Sequence, residues 1–151
     1  MKKFKKLTAG LLGAVMALSV CSFTALAAEP VETEAELKNA VENDGVIELG
    51  KSIELTDVLT IENGKDITID LNGYTLTSAD EKYAIQFGAF DANGEDDFEE
   101  CTYENVGKLE IVDGTIEGYR GIVNYFGEVV LGNNLEVDVT DRVATSYGGE
   151  I

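Results

Sequence analysis

From Asp66 to Thr77 the chain reads DITIDLNGYTLT, in which apolar and polar residues alternate on both sides of an Asn-Gly pair. Alternation with a period of two is typical of a half-buried β-strand, and Asn-Gly is typical of a tight corner. The pattern returns as KLEIVDGTI over 108–116 and as EVVLGNNLEV over 128–137, which places Ile111 and Leu131 at equivalent positions 20 residues apart. A repeat of this length predicts turns of chain that stack on one another and share an apolar interior.

A short helix is predicted before the first of these strands. Thr33 and Glu36 have the spacing of a capping box, and an apolar stripe follows at helical spacing, formed by Leu37, Ala40 and Val41. We predict a helix over about 34–43, ended by Gly45 in a left-handed C-cap. This helix would cover the open N-terminal end of the stacked turns, where backbone groups would otherwise lack partners.

The fold class that these patterns indicate is all-β. The apolar runs are only three to five residues long, and corners built from Gly, Asn and Asp separate them. A parallel solenoid explains why each repeat contains a corner flanked by strands. The alternative is an antiparallel β-sandwich, in which the Asn-Gly pairs would form two-residue hairpins.

Two segments also match a known class of protein. The run GVIELG over 45–50 follows the predicted helix, and ITIDLNGYTL over 67–76 follows that run. In this order they resemble the start of right-handed parallel β-helix domains of the pectate-lyase-like class of exported bacterial proteins, and the later repeats extend the resemblance to about Thr140. The resemblance implies a right-handed parallel β-helix with a capping helix. It implies little about activity, because the class contains lyases, glycosidases, adhesins and domains without known activity.

Residues 1–27 have the organisation of a bacterial secretory signal peptide. Four lysines precede an apolar stretch over 7–20, and Ala25-Leu26-Ala27 supplies small residues for cleavage after Ala27. The expected location is therefore outside the bacterial cell or on its surface. The alternatives are an uncleaved membrane anchor and lipidation at Cys21. The mature chain would consist of a lead and helix over 28–45 and β-helix turns over 46–151.

Composition narrows the range of partners. Cleavage leaves seven Lys and Arg against 29 Asp and Glu, a net charge of −22. A chain this acidic is expected to avoid nucleic acid and anionic lipid, because phosphates repel it. Cys101 would be the single mature cysteine, so no internal disulfide is expected, although an intermolecular one is an alternative. The chain has neither His nor Trp, which removes the commonest general base and the strongest sugar-stacking ring.

An acidic segment over 91–105 interrupts the repeat and is predicted to loop out from a corner. Hard oxygen ligands for a calcium ion could come from five of its side chains: Asp91, Asn93, Glu95, Asp96 and Asp97. The segment does not match the regular calcium-loop pattern, because Asp96 stands at the glycine position and Thr102 at the glutamate position. Calcium is therefore the one cofactor considered, and an acidic loop without a ligand is the alternative.

Few residues suggest catalysis. Asp113 and Arg120 flank one predicted turn, and a polysaccharide lyase of this class would need such a basic group beside a uronate. A glycoside hydrolase would need paired carboxylates, for which Asp66 with Asp70 and Asp138 with Asp141 are the nearest candidates. The alternative in each case is an ordinary polar surface position, and we expect a protein without catalytic activity.

Tyr119 and Tyr125 are the candidate ligand-binding residues. Their rings, if they point outward, could stack on the apolar faces of sugars. The alternative is that they pack inside the turns or against the flank. The function we predict is adhesion or extracellular carbohydrate recognition by a non-catalytic domain. The alternatives are part of a polysaccharide lyase or glycoside hydrolase, and a structural unit that assembles through its C-terminal edge. The end of the sequence, at Ile151, reads like the beginning of another strand, so we expect either pairing there or a longer protein.

Overall fold

The structure is a computed structural model, and it describes residues 29–43, 45–62, 64–88, 107–148 and 150–151. Within these residues the fold is mostly β, with one short helix and parallel sheets. The predicted signal peptide with its cleavage site at Ala27, and the predicted insertion with Cys101, lie outside the described residues. The predictions made for them remain predictions.

The helix α1 spans Glu34–Ala40 and begins with the predicted capping box. The Thr33 hydroxyl accepts a hydrogen bond from the Glu36 amide at 3.2 Å, and the Glu36 carboxylate accepts one from the Thr33 amide at 3.0 Å. Leu37 and Val41 are buried in the hydrophobic core, as the apolar stripe predicted. The predicted end was wrong: Val41 is the C-cap, and Gly45 starts the first strand instead of capping the helix.

Ten strands follow the helix in chain order. They are β1 (Gly45–Glu48), β2 (Ile53–Glu54), β3 (Leu59–Ile61), β4 (Asp66–Asp70), β5 (Thr75–Thr77), β6 (Tyr83–Gly88), β7 (Lys108–Val112), β8 (Gly114–Tyr125), β9 (Glu128–Leu131) and β10 (Leu135–Tyr147). The first seven strands and β9 are short, as predicted. β8 and β10 have 12 and 13 residues and are much longer than predicted, because each continues past a bend where the earlier repeats break into two strands.

Two parallel sheets contain these strands. The first sheet has the order β1-β4-β7-β9, and the second has the order β2-β5-β8-β6-β3 with β10 also paired to β8. Ile111 lies directly opposite Leu131, which confirms the equivalence read from the repeat. Every pair of named strands is parallel, so the antiparallel β-sandwich was the wrong alternative for the part of the chain that is described.

The long strand β8 joins the two parts of the second sheet. Its first half pairs with β5, where Thr115 lies opposite Thr75, and its second half pairs with β6, where Arg120 lies opposite Tyr83. Gly118 separates the halves with a φ of 121°, a conformation that glycine adopts without the steric cost of a Cβ. This bend positions the site described below.

The core collects the inward-facing residues of both sheets. In β4 and β7 the alternation is regular, and Ile67, Ile69, Leu109 and Ile111 are all at most 2% exposed. Asn124 is the one fully buried polar side chain in the described chain. Its amide donates to the carbonyls of Gly127 and Glu150 at 2.7 and 3.0 Å, and its oxygen accepts from the Gly127 amide at 3.1 Å. Because all of these groups are paired, the buried amide stabilises the corner after β8.

The corners after the strands of the first sheet use left-handed backbone, as the Asn and Asp residues predicted. Asn72, Asp113 and Asn134 have φ of 51°, 60° and 56°. The side-chain amide of Asn134 donates to the Asp113 carboxylate at 3.0 Å, and the side-chain amide of Asn72 donates to the Glu48 carboxylate at the same distance. Side chains at successive corners therefore bond to one another along the molecule.

Candidate functional site

A groove lies beside the bend at Gly118 and has a volume of about 680 Å³. We call it the Tyr119 groove. It is lined by Thr77, Asp80, Glu81, Gly118, Tyr119 and Thr140, together with the buried Ser78. The lining comes from three successive parts of the second sheet: the corner after β5, the middle of β8 and the middle of β10.

The backbone at the groove is held by Ser78. Its hydroxyl accepts a hydrogen bond from the Tyr119 amide at 2.8 Å, while its own amide donates to the Glu117 carbonyl at 2.8 Å. A Cβ on Gly118 would overlap the Ser78 hydroxyl, so only glycine fits this approach of the two segments. The bend at Gly118 and its neighbour Tyr119 are therefore fixed by packing as well as by φ.

A β-bulge in β10 faces Tyr119. Val139 pairs with Gly118 and Arg142 pairs with Arg120, so Thr140 and Asp141 together oppose the single residue Tyr119. Bulges of this kind redirect side chains and are frequent beside functional sites. Here the extra residue allows Thr140 to line the groove and Asp141 to reach Arg120.

Arg120 contacts three side chains around the groove. Its Nε donates to the Asp141 carboxylate at 2.6 Å, and its guanidinium carbon lies 4.7 Å from the centroid of the Tyr119 ring and 5.3 Å from that of the Tyr83 ring. Both ring distances are within the range of cation–π attraction. The Tyr83 hydroxyl shares a hydrogen bond of 3.0 Å with Thr145, which anchors the second ring to β10.

The groove offers carboxylates, hydroxyls and one aromatic ring. Asp80 and Glu81 are exposed, and neither makes a hydrogen bond or ion pair within the described chain. Glu81 has a φ of 60°, an uncommon conformation for a residue other than glycine. Thr140 bonds weakly to the Gly118 carbonyl at 3.4 Å. A half-buried ring beside acceptor groups suits a ligand that has an apolar face and a hydroxylated edge.

The two residues considered for a lyase make contacts to different partners. Asp113 lies at the corner before β8 and bonds to Asn134, whereas Arg120 lies beyond the Gly118 bend and bonds to Asp141. The hydrogen bond to Asp141 raises the pKa of Arg120, so its guanidinium stays protonated. The arrangement keeps Arg120 as a cation and gives no means for it to accept a proton.

The two candidate tyrosines are far apart. Tyr125 is six residues beyond Tyr119 on the same strand, which corresponds to roughly 20 Å of extended chain. Its ring stacks on that of Tyr147, with centroids 5.0 Å apart and planes 12° apart, and the two residues are in register on β8 and β10. Tyr119 therefore belongs to the groove, and Tyr125 belongs to a separate aromatic pair at the end of the strands.

The aspartates considered for a hydrolase lie on two strands, β4 and β10. Asp141 is ion-paired with Arg120, and Asp138 lies opposite Glu117 in the sheet. The Asp70 carboxylate accepts a hydrogen bond from the backbone amide of Asn72 at 2.8 Å. Asp66 lies at the start of the same strand as Asp70.

The acidic segment considered for calcium lies outside the described residues, with its five candidate ligands Asp91, Asn93, Glu95, Asp96 and Asp97. Elsewhere in the chain, no group of three or more Cys, Asp and Glu side chains among the described residues could hold a metal ion. The calcium site remains a prediction.

Sequence reasoning did not single out most of the groove. No role was predicted from the sequence for four of the lining residues, which are Thr77, Asp80, Glu81 and Thr140. One signal could have pointed to them: Ser78-Ala79-Asp80-Glu81 directly follows Thr77, and Gly118-Tyr119 directly follows Glu117, which is the equivalent of Thr77 one repeat later. Aligning the repeats places these residues side by side.

Comparison with known proteins found no match among family models, curated proteins or solved structures. Among the described residues there is also no helix that is both long and apolar enough to span a membrane.

Proposed function

We propose that this chain is an exported, non-catalytic domain that recognises extracellular carbohydrate through the Tyr119 groove. We also propose that its architecture is that of a right-handed parallel β-helix of the pectate-lyase-like class, with α1 covering the N-terminal end. The architectural proposal rests on the parallel pairing of each strand with its equivalent one repeat later. The functional proposal rests on one observation: a half-buried tyrosine ring lines a groove beside two carboxylates without partners in the described chain.

The two carboxylates that line the groove determine which glycans, by their charge, would bind there. Asp80 and Glu81 would accept hydrogen bonds from sugar hydroxyls or amino groups, while the Tyr119 ring would pack on the C–H face of a sugar. The same carboxylates, on a protein with a formal net charge of −18 before any cleavage, would repel uronates and sulfated sugars. We therefore propose neutral or amino-substituted glycans as ligands.

Binding can be tested with three soluble oligosaccharides of equal length: N-acetylglucosamine oligomers, glucosamine oligomers and galacturonate oligomers. We expect the first two to bind and the third not to bind in calorimetric titrations. Tyr119→Ala should weaken binding about tenfold, because it removes the stacking surface. Tyr147→Ala is the matched control, since Tyr147 is 48% exposed and lies outside the groove. Equal affinity for both variants would contradict the proposed site.

Export can be tested by the intact mass of the native protein recovered from culture medium or cell envelope. Cleavage after Ala27 predicts an N-terminus at Ala28. A native protein that keeps residues 1–27 would contradict this part of the proposal.

An assembly function is the second candidate, and the last strand favours it. Within the described chain, β10 pairs only with β8, and Val143 and Tyr147 on β10 are each 48% exposed. An edge strand with exposed apolar residues can pair with another chain. Light scattering over a range of concentrations tests this candidate: oligomers that grow with concentration support it, and a monomer at every concentration contradicts it.

A further inference from the structure

We propose that Arg120 and Asp141 are positioning residues, which hold the ring of Tyr119 in the orientation that binds ligand. This inference rests on the proposed carbohydrate function. The guanidinium of Arg120 lies against the Tyr119 ring at 4.7 Å and is fixed by its 2.6 Å hydrogen bond to Asp141. One face of the ring thereby contacts Arg120, and Tyr119 also lines the groove.

The guanidinium is itself held from several directions. Tyr83 lies 5.3 Å from it and is anchored to Thr145 by a hydrogen bond. Arg120 and Asp141 keep only 28% and 33% of their side-chain surface exposed, although both lie on outer strand positions. Contacts from β6, β8 and β10 therefore fix one planar cation beside the rings of Tyr83 and Tyr119.

The bulge in β10 makes this arrangement possible. In an unbroken register, one residue of β10 would oppose Tyr119. The extra residue lets β10 present Thr140 to the groove and Asp141 to Arg120 at the same level of the sheet. We infer that the bulge serves the groove, because it supplies both a lining residue and the carboxylate that orients the cation.

Positioning affects affinity because a free ring must be ordered when ligand binds. An exposed tyrosine populates several staggered rotamers, and the ligand would select one of them at an entropic cost. Because the Arg120 guanidinium already holds the Tyr119 ring in one orientation, the ligand does not have to order the ring when it binds. Loss of Asp141 should therefore weaken binding even though Asp141 does not itself line the groove.

The test uses Asp141→Ala, with Asp141→Glu as the conservative variant and Lys38→Ala as the matched control. Lys38 forms an ion pair of similar length with Glu34, at 2.7 Å on α1, away from the Tyr119 groove. The first readout is the NMR signal of the Tyr119 ring in protein without ligand, assigned through Tyr119→Phe. The second is affinity for the N-acetylglucosamine oligomer.

We expect Asp141→Ala to shift and broaden the Tyr119 ring signal and to weaken binding about two- to tenfold. Asp141→Glu should retain most of both properties, and Lys38→Ala should leave both unchanged. The positioning role is overturned if the Tyr119 ring signal is unchanged in Asp141→Ala. It is also overturned if that signal shifts but the affinity for the oligosaccharide does not fall. If Asp141→Ala fails to fold, Arg120→Lys gives the same comparison, because it keeps the charge but loses the planar group.

The two proposals fail separately. If the unaltered protein binds none of the three oligosaccharides, the proposed function fails. In that case the ring signal in protein without ligand still decides whether Asp141 and Arg120 position Tyr119.

Discussion

Ile111→Ala is the substitution whose cost follows most directly from the stacked strands. Ile111 is completely buried and lies between Ile69 on β4 and Leu131 on β9. The change removes three carbon atoms, and their transfer alone is worth about 2.4 kcal/mol at about 0.8 kcal/mol per carbon. The cavity left between strands adds to this, so we expect a loss of about 3–4 kcal/mol in the free energy of unfolding.

Leu131→Ala is the matched control because Leu131 occupies the next position in the same row. Its side chain is 37% exposed, so the loss should be about 1.5 kcal/mol, with little cavity contribution at the surface. Urea unfolding followed by circular dichroism gives both changes in the free energy of unfolding, provided that each variant unfolds in a two-state transition. Equal costs for Ile111→Ala and Leu131→Ala would contradict this prediction, because they would mean that Ile111, between two strands, is packed no more deeply than the partly exposed Leu131.

Three further predictions concern charge and buried polarity. Asp138→Asn should stabilise the fold by up to about 0.5 kcal/mol, because Asp138 lies opposite Glu117, and the gain should shrink at about 1 M salt in parallel urea titrations. Asn124→Ala should cost about 1–3 kcal/mol in thermal or urea unfolding, since it removes three hydrogen bonds at this corner and leaves the buried Gly127 amide without its acceptor; a neutral effect would contradict this dependence on the Asn124 side chain. The Lys38 hydrogen bond lowers the pKa of Glu34, so the stability that Lys38 adds should be present at pH 7 and lost as the pH falls below about 4. A difference between the unaltered protein and Lys38→Ala that stays constant down to pH 3 would contradict this sign.

The sequence predicted the repeat well because the repeat is a pattern of burial. Alternating apolar residues in β4 and β7 face the core, and left-handed Asn72 and Asp113 lie at the corners, as their residue types required. The capping box of α1 was predictable for a similar reason, since Thr33 and Glu36 act only on neighbouring backbone groups. Capping hydrogen bonds and alternating burial both depend on residues that are close together in the sequence.

The lengths of β8 and β10 were not predictable in this way. At Gly118 the strand bends without ending, because neighbouring strands on both sides continue to pair with it. The bulge at Thr140 and Asp141 has no glycine or other local signal, since it arises from pairing with a strand about 20 residues earlier. Pairing over that distance depends on register, which local patterns do not specify.

The site was predicted only in part for the same reason. Tyr119 was identified by residue type, and Arg120 was identified as a basic residue that with Asp113 flanks one predicted turn. Neither the partner of Arg120 nor the carboxylates of Asp80 and Glu81 could be found, because corner residues of this kind are usually solvated and carry no spacing motif. The groove results from stacking three segments that are separate in sequence.

The most direct test of carbohydrate recognition at the Tyr119 groove is an amide NMR titration with the N-acetylglucosamine and glucosamine oligomers. We expect saturable shifts that are concentrated at Gly118, Tyr119 and Thr140, with the amides of Tyr125 and Tyr147 unaffected. Saturable shifts centred on Tyr125 and Tyr147, or no saturable shifts with either oligomer, would contradict this expectation.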